Sequence, residues 1–163
     1  MYYPGDYAIK DNDDYLWLLG RSDDVLKIAG HRIGTAELES SLVSHNDVVE
    51  SAVCGIPDEI KGDSIIAFIV LKEGANIPSE LLKTELIDTV RNSVGPIATP
   101  SDFYFVTKLP KTRSGKIMRR LLKSIANGEK VGDISTLEDG AAVDEVQSAF
   151  DELQSDISKD NQP

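Results

Sequence analysis

A single cysteine, Cys54, stands among 163 residues, so no disulfide can close within the chain. Its place in the apolar run Ala52-Val53-Cys54 reads as a small buried hydrophobe. No neighbouring base or cation would lower its pKa, and thiol catalysis has no support. Long apolar runs are lacking as well. The longest, Ile65 to Leu71, is about a third of the ~20 residues that a membrane-spanning helix needs, and it reads as a buried strand. The first residues, Met1 to Asp6, hold neither a basic cluster nor an apolar stretch; the expected location is the cytoplasm, with no membrane partner. His31 and His45 are the only histidines. They have no cysteine partners and no close spacing, so no metal site is expected.

Cations are the minority charge. Lys and Arg number 17 against 28 Asp and Glu, a net charge of -11. From Glu129 onward ten acids face only Lys130 and Lys159, a net of -8 that leaves -3 for the body. Phosphate repels such a chain at long range, which argues against a nucleic-acid partner, and any anion site must be local. What is present is ordinary for a globular protein: 40% hydrophobic residues, 28% charged and a mean hydropathy of -0.21. The length suits one domain with a real core.

Along the chain, Tyr7-Ala8-Ile9 and Tyr15 to Leu19 flank the turn-rich Lys10-Asp11-Asn12-Asp13-Asp14, the pattern of a β-hairpin. Its acids do not make an EF-hand. Counted from Asp11, the sixth and twelfth places hold Leu16 and Ser22 where glycine and glutamate are required. Gly20 to Asp24 is a polar break, a linker or hinge. Beyond it, Val25 to Ile28 predicts a strand, Thr35 caps a helix to about His45, and Val48 to Ile56 and Ile65 to Lys72 predict two more strands. Ser79 caps a helix whose Leu82, Leu86, Val90 and Val94 share one face, stopped by Gly95-Pro96. Asp102 to Thr107 is a further strand. Ser114-Gly115 opens a last helix with Ile117, Leu121, Leu122 and Ile125 toward the core. The order β-α-β-β-α-β-α implies an α+β fold: a small, mainly antiparallel sheet with packed helices, preceded by the hairpin and hinge. An acidic tail follows, with a short helix expected over 141–153.

Six cations, Lys108, Lys111, Arg113, Lys116, Arg119 and Arg120, crowd into thirteen residues of an otherwise acidic chain. A glycine-bearing turn at a helix start offers backbone N–H groups, and cations beside it would hold a phosphate. This is no Walker A loop, since Pro110 and Ile117 occupy places that need glycine and a hydroxyl residue. On composition alone a solvated basic helix is the favoured account of the cluster.

Gly5-Asp6, Gly20-Arg21-Ser22-Asp23-Asp24-Val25, Gly30-His31-Arg32-Ile33-Gly34-Thr35-Ala36-Glu37 and Pro110-Lys111-Thr112-Arg113-Ser114-Gly115-Lys116 resemble, in order and spacing, the closing motifs of the adenylate-forming ligase superfamily. Gly34 to Ser40, Gly95 to Pro100 and Gly132 to Leu137 look like its AMP-forming acetyl-CoA synthetase (acetate–CoA ligase) branch. The match runs from about Asp6 to about Phe150. By this resemblance residues 1–20 would be a hairpin ending a large domain, 21–24 a hinge, 25–127 a mobile C-terminal domain and 128–163 an acidic tail.

The resemblance also implies a chemistry. Such enzymes join acetate to ATP with release of pyrophosphate, then pass the acetyl group from the adenylate to CoA, one domain rotating between the steps. Lys116 would be the adenylation catalyst, its ammonium stabilising charge on the phosphoryl and bridging oxygens. Asp6 and Arg21 would bind the nucleotide (ATP, then AMP), Asp23 would be the hinge, and Gly30, Arg32 and Arg91 would bind CoA. Mg2+ would enter with ATP in the full enzyme, and regulatory acetylation would fall on Lys116. The implied partners are a large N-terminal adenylation domain, acetyl-adenylate and CoA. Pro4 departs from the family, standing where a threonine usually precedes the Gly-Asp pair. The ATP loop and the adenine and acetate pockets have no counterpart in this sequence, so the chain alone is expected to be inactive. The alternative reading is a standalone, non-catalytic nucleotide- or CoA-binding module. RNA binding by residues 108–120 is disfavoured by the acidic remainder.

Overall fold

The computed structural model describes residues 6–21, 24–75, 77–112 and 114–127. Asp23 and the acidic tail, with its expected helix, lie outside the described residues. β1 (Asp6–Lys10) and β2 (Leu16–Arg21) form the antiparallel hairpin that the sequence predicts. The Asp11 carboxylate closes its turn by accepting the N–H groups of Asp13 and Tyr15 and the indole N–H of Trp17, at 3.0, 2.9 and 2.8 Å. The Trp17 bond first, then the Tyr15 N–H, hold the Asp11 carboxyl below its ordinary pKa.

The second sheet is built around β6 (Gly62–Leu71). β5 (Val48–Asp58) lies antiparallel to it in a long hairpin, Val48 opposite Leu71 and Asp58 opposite Gly62. β7 (Asp102–Val106) lies parallel to β6, and a parallel neighbour requires a crossover, which α2 (Ser79–Ser93) supplies. β3 (Val25–Ile28) meets the start of β6 at Ile28 and Gly62, with β4 (His31–Gly34) outside it. The order is β4-β3-β6-β5, with β7 also on β6. The mainly antiparallel α+β fold holds, as a small mixed sheet with three α-helices among the described residues.

The apolar run of β6 is continuous because both its faces are covered. Ile65, Ala67 and Ile69 pack toward Leu38 and Leu42 of α1 (Thr35–Val43) and Leu82, Leu86 and Val90 of α2. Ile66 and Phe68 pack instead with Leu121, Leu122 and Ile125 of α3 (Arg119–Ala126). This alternation is the period of two of a strand. It yields three layers, α1 and α2 on one face and α3 on the other.

Three local expectations need correction. β4 was not foreseen: Ala29 and Gly30 have φ of 48° and 86°, so the chain doubles back through a two-residue turn with both central residues left-handed. Alanine is an unusual occupant of such a site, and nothing in the composition signals it. Thr35 and Ser79 are first helical residues rather than caps; Gly34 and Pro78 hold the cap positions, without a side-chain cap bond. Finally, α3 begins at Arg119 and not at Ser114. Thr112 closes a turn onto Gly115 and Lys116 instead, because its side chain and backbone take the hydrogen bonds a helix would need.

Gly62 has φ of 89°, and a Cβ there would stand 2.7 Å from the Lys27 carbonyl oxygen. Gly74 has φ of 81° with open space around it. Gly74→Ala is expected to cost about 1 kcal/mol for backbone strain alone, whereas Gly62→Ala must also push β3 off β6 and should cost roughly 2–4 kcal/mol. Equal urea midpoints for the two variants would rule out that contact.

Candidate functional site

The basic segment becomes a shaped loop. Thr112 donates its N–H to the Lys116 carbonyl at 2.9 Å and accepts the Gly115 N–H on its own carbonyl at 2.8 Å. The Lys116 N–H reaches Thr112 Oγ1 at 3.2 Å, and Gly115 has φ of 80°. Lys111 and Ile117 form an isolated antiparallel bridge, and the Met118 N–H bonds the Pro110 carbonyl at 2.9 Å. The N–H groups of Gly115 and Lys116 are thus spent inside the loop, so the expected backbone cradle for a phosphate is not offered there. The Lys116 side chain is exposed and makes no ion pair with any described residue.

Lys111 and Arg119 of the same segment are ion-paired. Lys111 Nζ pairs with Glu50 Oε1 on β5. Arg119 Nη2 lies 2.7 Å from Glu39 Oε2 and 3.0 Å from Glu39 Oε1, with Nε at 3.2 Å, and its Nη1 is 3.9 Å from Asp24. Glu39 and Glu50 were missed by sequence reasoning. The one available signal was Glu50, an acid that strand alternation places with Ala52 and Cys54 on an otherwise apolar face.

A second locus lies at the β3–β4 turn. Ala29, Lys61, Asp63 and Arg91 line a cleft of about 390 Å³ with Ile97 and Thr99. The structure therefore brings Arg91, in the last turn of α2, to the turn that holds Gly30. A Cβ on Gly30 would meet open space, but its φ of 86° favours glycine in any case. Arg32 is exposed on β4, opposite Lys27, and does not line the cleft. The Asp58 carboxylate fixes the loop that carries Lys61 by accepting the N–H groups of Lys61 and Ile60 at 2.8 and 2.9 Å, and these bonds hold its pKa down. Of the expected nucleotide residues, Asp6 and Arg21 are register partners across the first hairpin.

A further cleft of about 300 Å³ lies between β3 and α3, with Asp24, Cys54, Arg119, Arg120 and Lys123 among its lining. Cys54 is buried, and desolvation pushes its thiol up to about 12 against a small opposing pull from Lys123. Among the described residues no group of three or more His, Cys, Asp or Glu is arranged to hold a metal ion. His45 instead accepts the Asp47 N–H on Nδ1 at 3.2 Å and meets Glu85 through Nε2 at 3.0 Å.

The sequence profile of the AMP-binding enzyme C-terminal domain matches residues 37–116, ending on the exposed lysine. Residues 37–116 belong to this family. The chain is 58% identical over 159 residues to an acetyl-coenzyme A synthetase of Pyrobaculum aerophilum, covering 98% of this chain and 24% of that protein. It is 50% identical over 157 residues to a 3-hydroxypropionyl-coenzyme A synthetase of Metallosphaera sedula, covering 96% of this chain and 23% of that one. A crystal structure of a Brucella canis acyl-CoA synthetase superposes with a TM-score of 0.61 at 38% identity, over 77% of this chain and 23% of the other. The chain thus spans about a quarter of the length of the relatives it matches. Among the described residues no helix is long and apolar enough to cross a membrane.

Two measurements check the local chemistry. Cys54 should resist iodoacetamide at about pH 8 in the folded protein and react quickly in urea; fast labelling under native conditions would contradict its burial. Asp58 has a folded pKa below its unfolded one, so its contribution is present above about pH 4 and is lost as pH falls through the folded value. Asp58→Ala should therefore be less stable at neutral pH, with the gap closing on acidification. A gap that stays constant down to about pH 2 would exclude this linkage.

Proposed function

We propose that this chain is the mobile lid of an AMP-forming acyl-CoA synthetase acting on acetate. Lys116 would serve adenylation, and the cleft at Arg91 would serve CoA transfer. The observation that carries the reading is the loop at Lys116. The chain spends its local hydrogen bonds and neighbouring ion pairs on holding that loop, yet leaves the ammonium in solvent. An exposed cation on a braced loop suits a site completed by another surface.

The chemistry follows from charge. When a carboxylate attacks the α-phosphorus of ATP and pyrophosphate leaves, negative charge builds on the phosphoryl and bridging oxygens. A positioned ammonium in a site closed to water lowers the energy of that charge. Mg2+ would enter with ATP. In the second step the CoA thiol attacks the acyl carbon and AMP leaves. Arg91 and Arg32 would hold CoA phosphates, and the β3–β4 turn at Gly30 would admit the pantetheine arm. α2 and α3 cover opposite faces of the sheet, so rotation about the hinge at Asp23 would present one surface and then the other. Residues 1–20 would close the large domain, where Asp6 and Arg21 meet the ribose and phosphate of the adenylate. Acetylation of Lys116 would remove its charge and silence the first step.

In the enzyme formed by this chain and its large domain, Lys116→Ala is expected to slow acetyl-adenylate formation by about a hundredfold or more. CoA transfer from supplied acetyl-adenylate should persist. Equal loss of both half-reactions would exclude the assigned role. Titrated alone, the chain should bind CoA more weakly than micromolar; a micromolar Kd, about -8 kcal/mol, would support a self-sufficient binding module instead.

A further inference from the structure

We propose that Glu39 and Glu50 are positioning residues for Lys116, a conclusion that rests on the adenylation role proposed for that lysine. The loop bearing Lys116 leaves the sheet after the buried Leu109 and Pro110 and returns to it at α3. Each end is tied to the region of β5 by one carboxylate. Lys111, at the entrance, pairs with Glu50 on the strand face covered by α3. Arg119, at the exit, pairs with Glu39, whose Oε1 also accepts the β5 N–H of Val53 at 2.9 Å.

The two ties differ in setting, and the difference is informative. The Glu39 side chain is only 13% exposed and accepts from both a backbone N–H and the Arg119 fork, so its geometry is over-determined. The Lys111–Glu50 pair is more than a third exposed on both sides. Exposed pairs of this kind add little to stability, so what it contributes is direction: it fixes the azimuth of the loop over the sheet. Both pairings also absorb the charges of Lys111 and Arg119 within the domain and leave Lys116 pointing at solvent. A misplacement of about 1 Å at a reacting group can cost a hundredfold in rate, which is the scale on which such ties matter.

The test uses the enzyme containing both the large domain and this chain, with Glu39→Gln, Glu50→Gln and Lys116→Ala variants. Each glutamine variant should lower the adenylation kcat by about tenfold or more, with KM for ATP and acetate little changed. CoA transfer from acetyl-adenylate should stay within about twofold, and Glu50→Asp should recover part of the loss. Hydrogen exchange of the peptide carrying Gly115 to Ile117 should quicken in both glutamine variants. Unchanged exchange overturns the proposal, as does a parallel fall of both half-reactions, which would mean general damage to the domain. Should Glu39→Gln unfold the domain, Arg119→Lys, which keeps the charge but loses the fork, takes its place with the same readouts. Failure of the underlying reading is separately visible: Lys116→Ala would then adenylate normally, and the exchange data alone would judge whether the carboxylates hold the loop.

Discussion

The Glu39 carboxylate is the joint on which the three layers meet. β5 is an edge strand, and an edge presents backbone N–H groups with no strand to receive them. α1 answers with the side chain of Glu39, which takes the Val53 N–H, while the Glu39 carbonyl takes the Ser51 hydroxyl at 2.9 Å. A carboxylate so nearly enclosed is costly unless it is paired. Arg119, the first residue of α3, supplies the charge. One side chain thereby fastens a helix from each face to the same strand, and the loop that ends at Arg119 inherits its placement from that fastening.

The second constraint is the burial of β6 on both faces. Because its alternate residues serve two cores, the helices above and below cannot merge into one layer, and the residues they carry stay apart. Arg91 rides on α2 and Lys116 precedes α3. A domain proposed to act in two successive steps needs two surfaces that do not compete for the same space, and a sheet sandwiched between helices provides them at no extra cost in chain length. The relatives that the chain matches are about four times as long.

The major elements were legible because their signals are local. β6 announced itself as an apolar run, α2 by Leu82, Leu86 and Val90 four apart, and the first hairpin by Asp11 and its neighbours between two β-rich segments. The failures share one cause. Ser114-Gly115 looks like a helix start, but Thr112 competes for the same hydrogen bonds and wins, so α3 begins later. Thr35 looks like a cap, but β4 runs directly into α1 through Gly34 and buries the threonine. β4 itself depends on a left-handed Ala29, whose N–H is held by the Lys61 carbonyl from another hairpin at 2.8 Å. Each is a specific hydrogen bond or chain continuation that residue propensity does not count, and the Lys61 partner is also distant in sequence.

The sequence by itself determined the buried central strand, the acidic character of the chain and the short basic segment whose motif carries the family resemblance, since hydrophobic period and residue type are properties of the string. Only the tertiary structure decided which cations are free to act. Lys111 and Lys116 are the same letter, and what separates them is where Glu50 comes to lie once β5 has packed. A charge is neutralised or left working by its distance from a counter-charge, and that distance exists only in the folded chain.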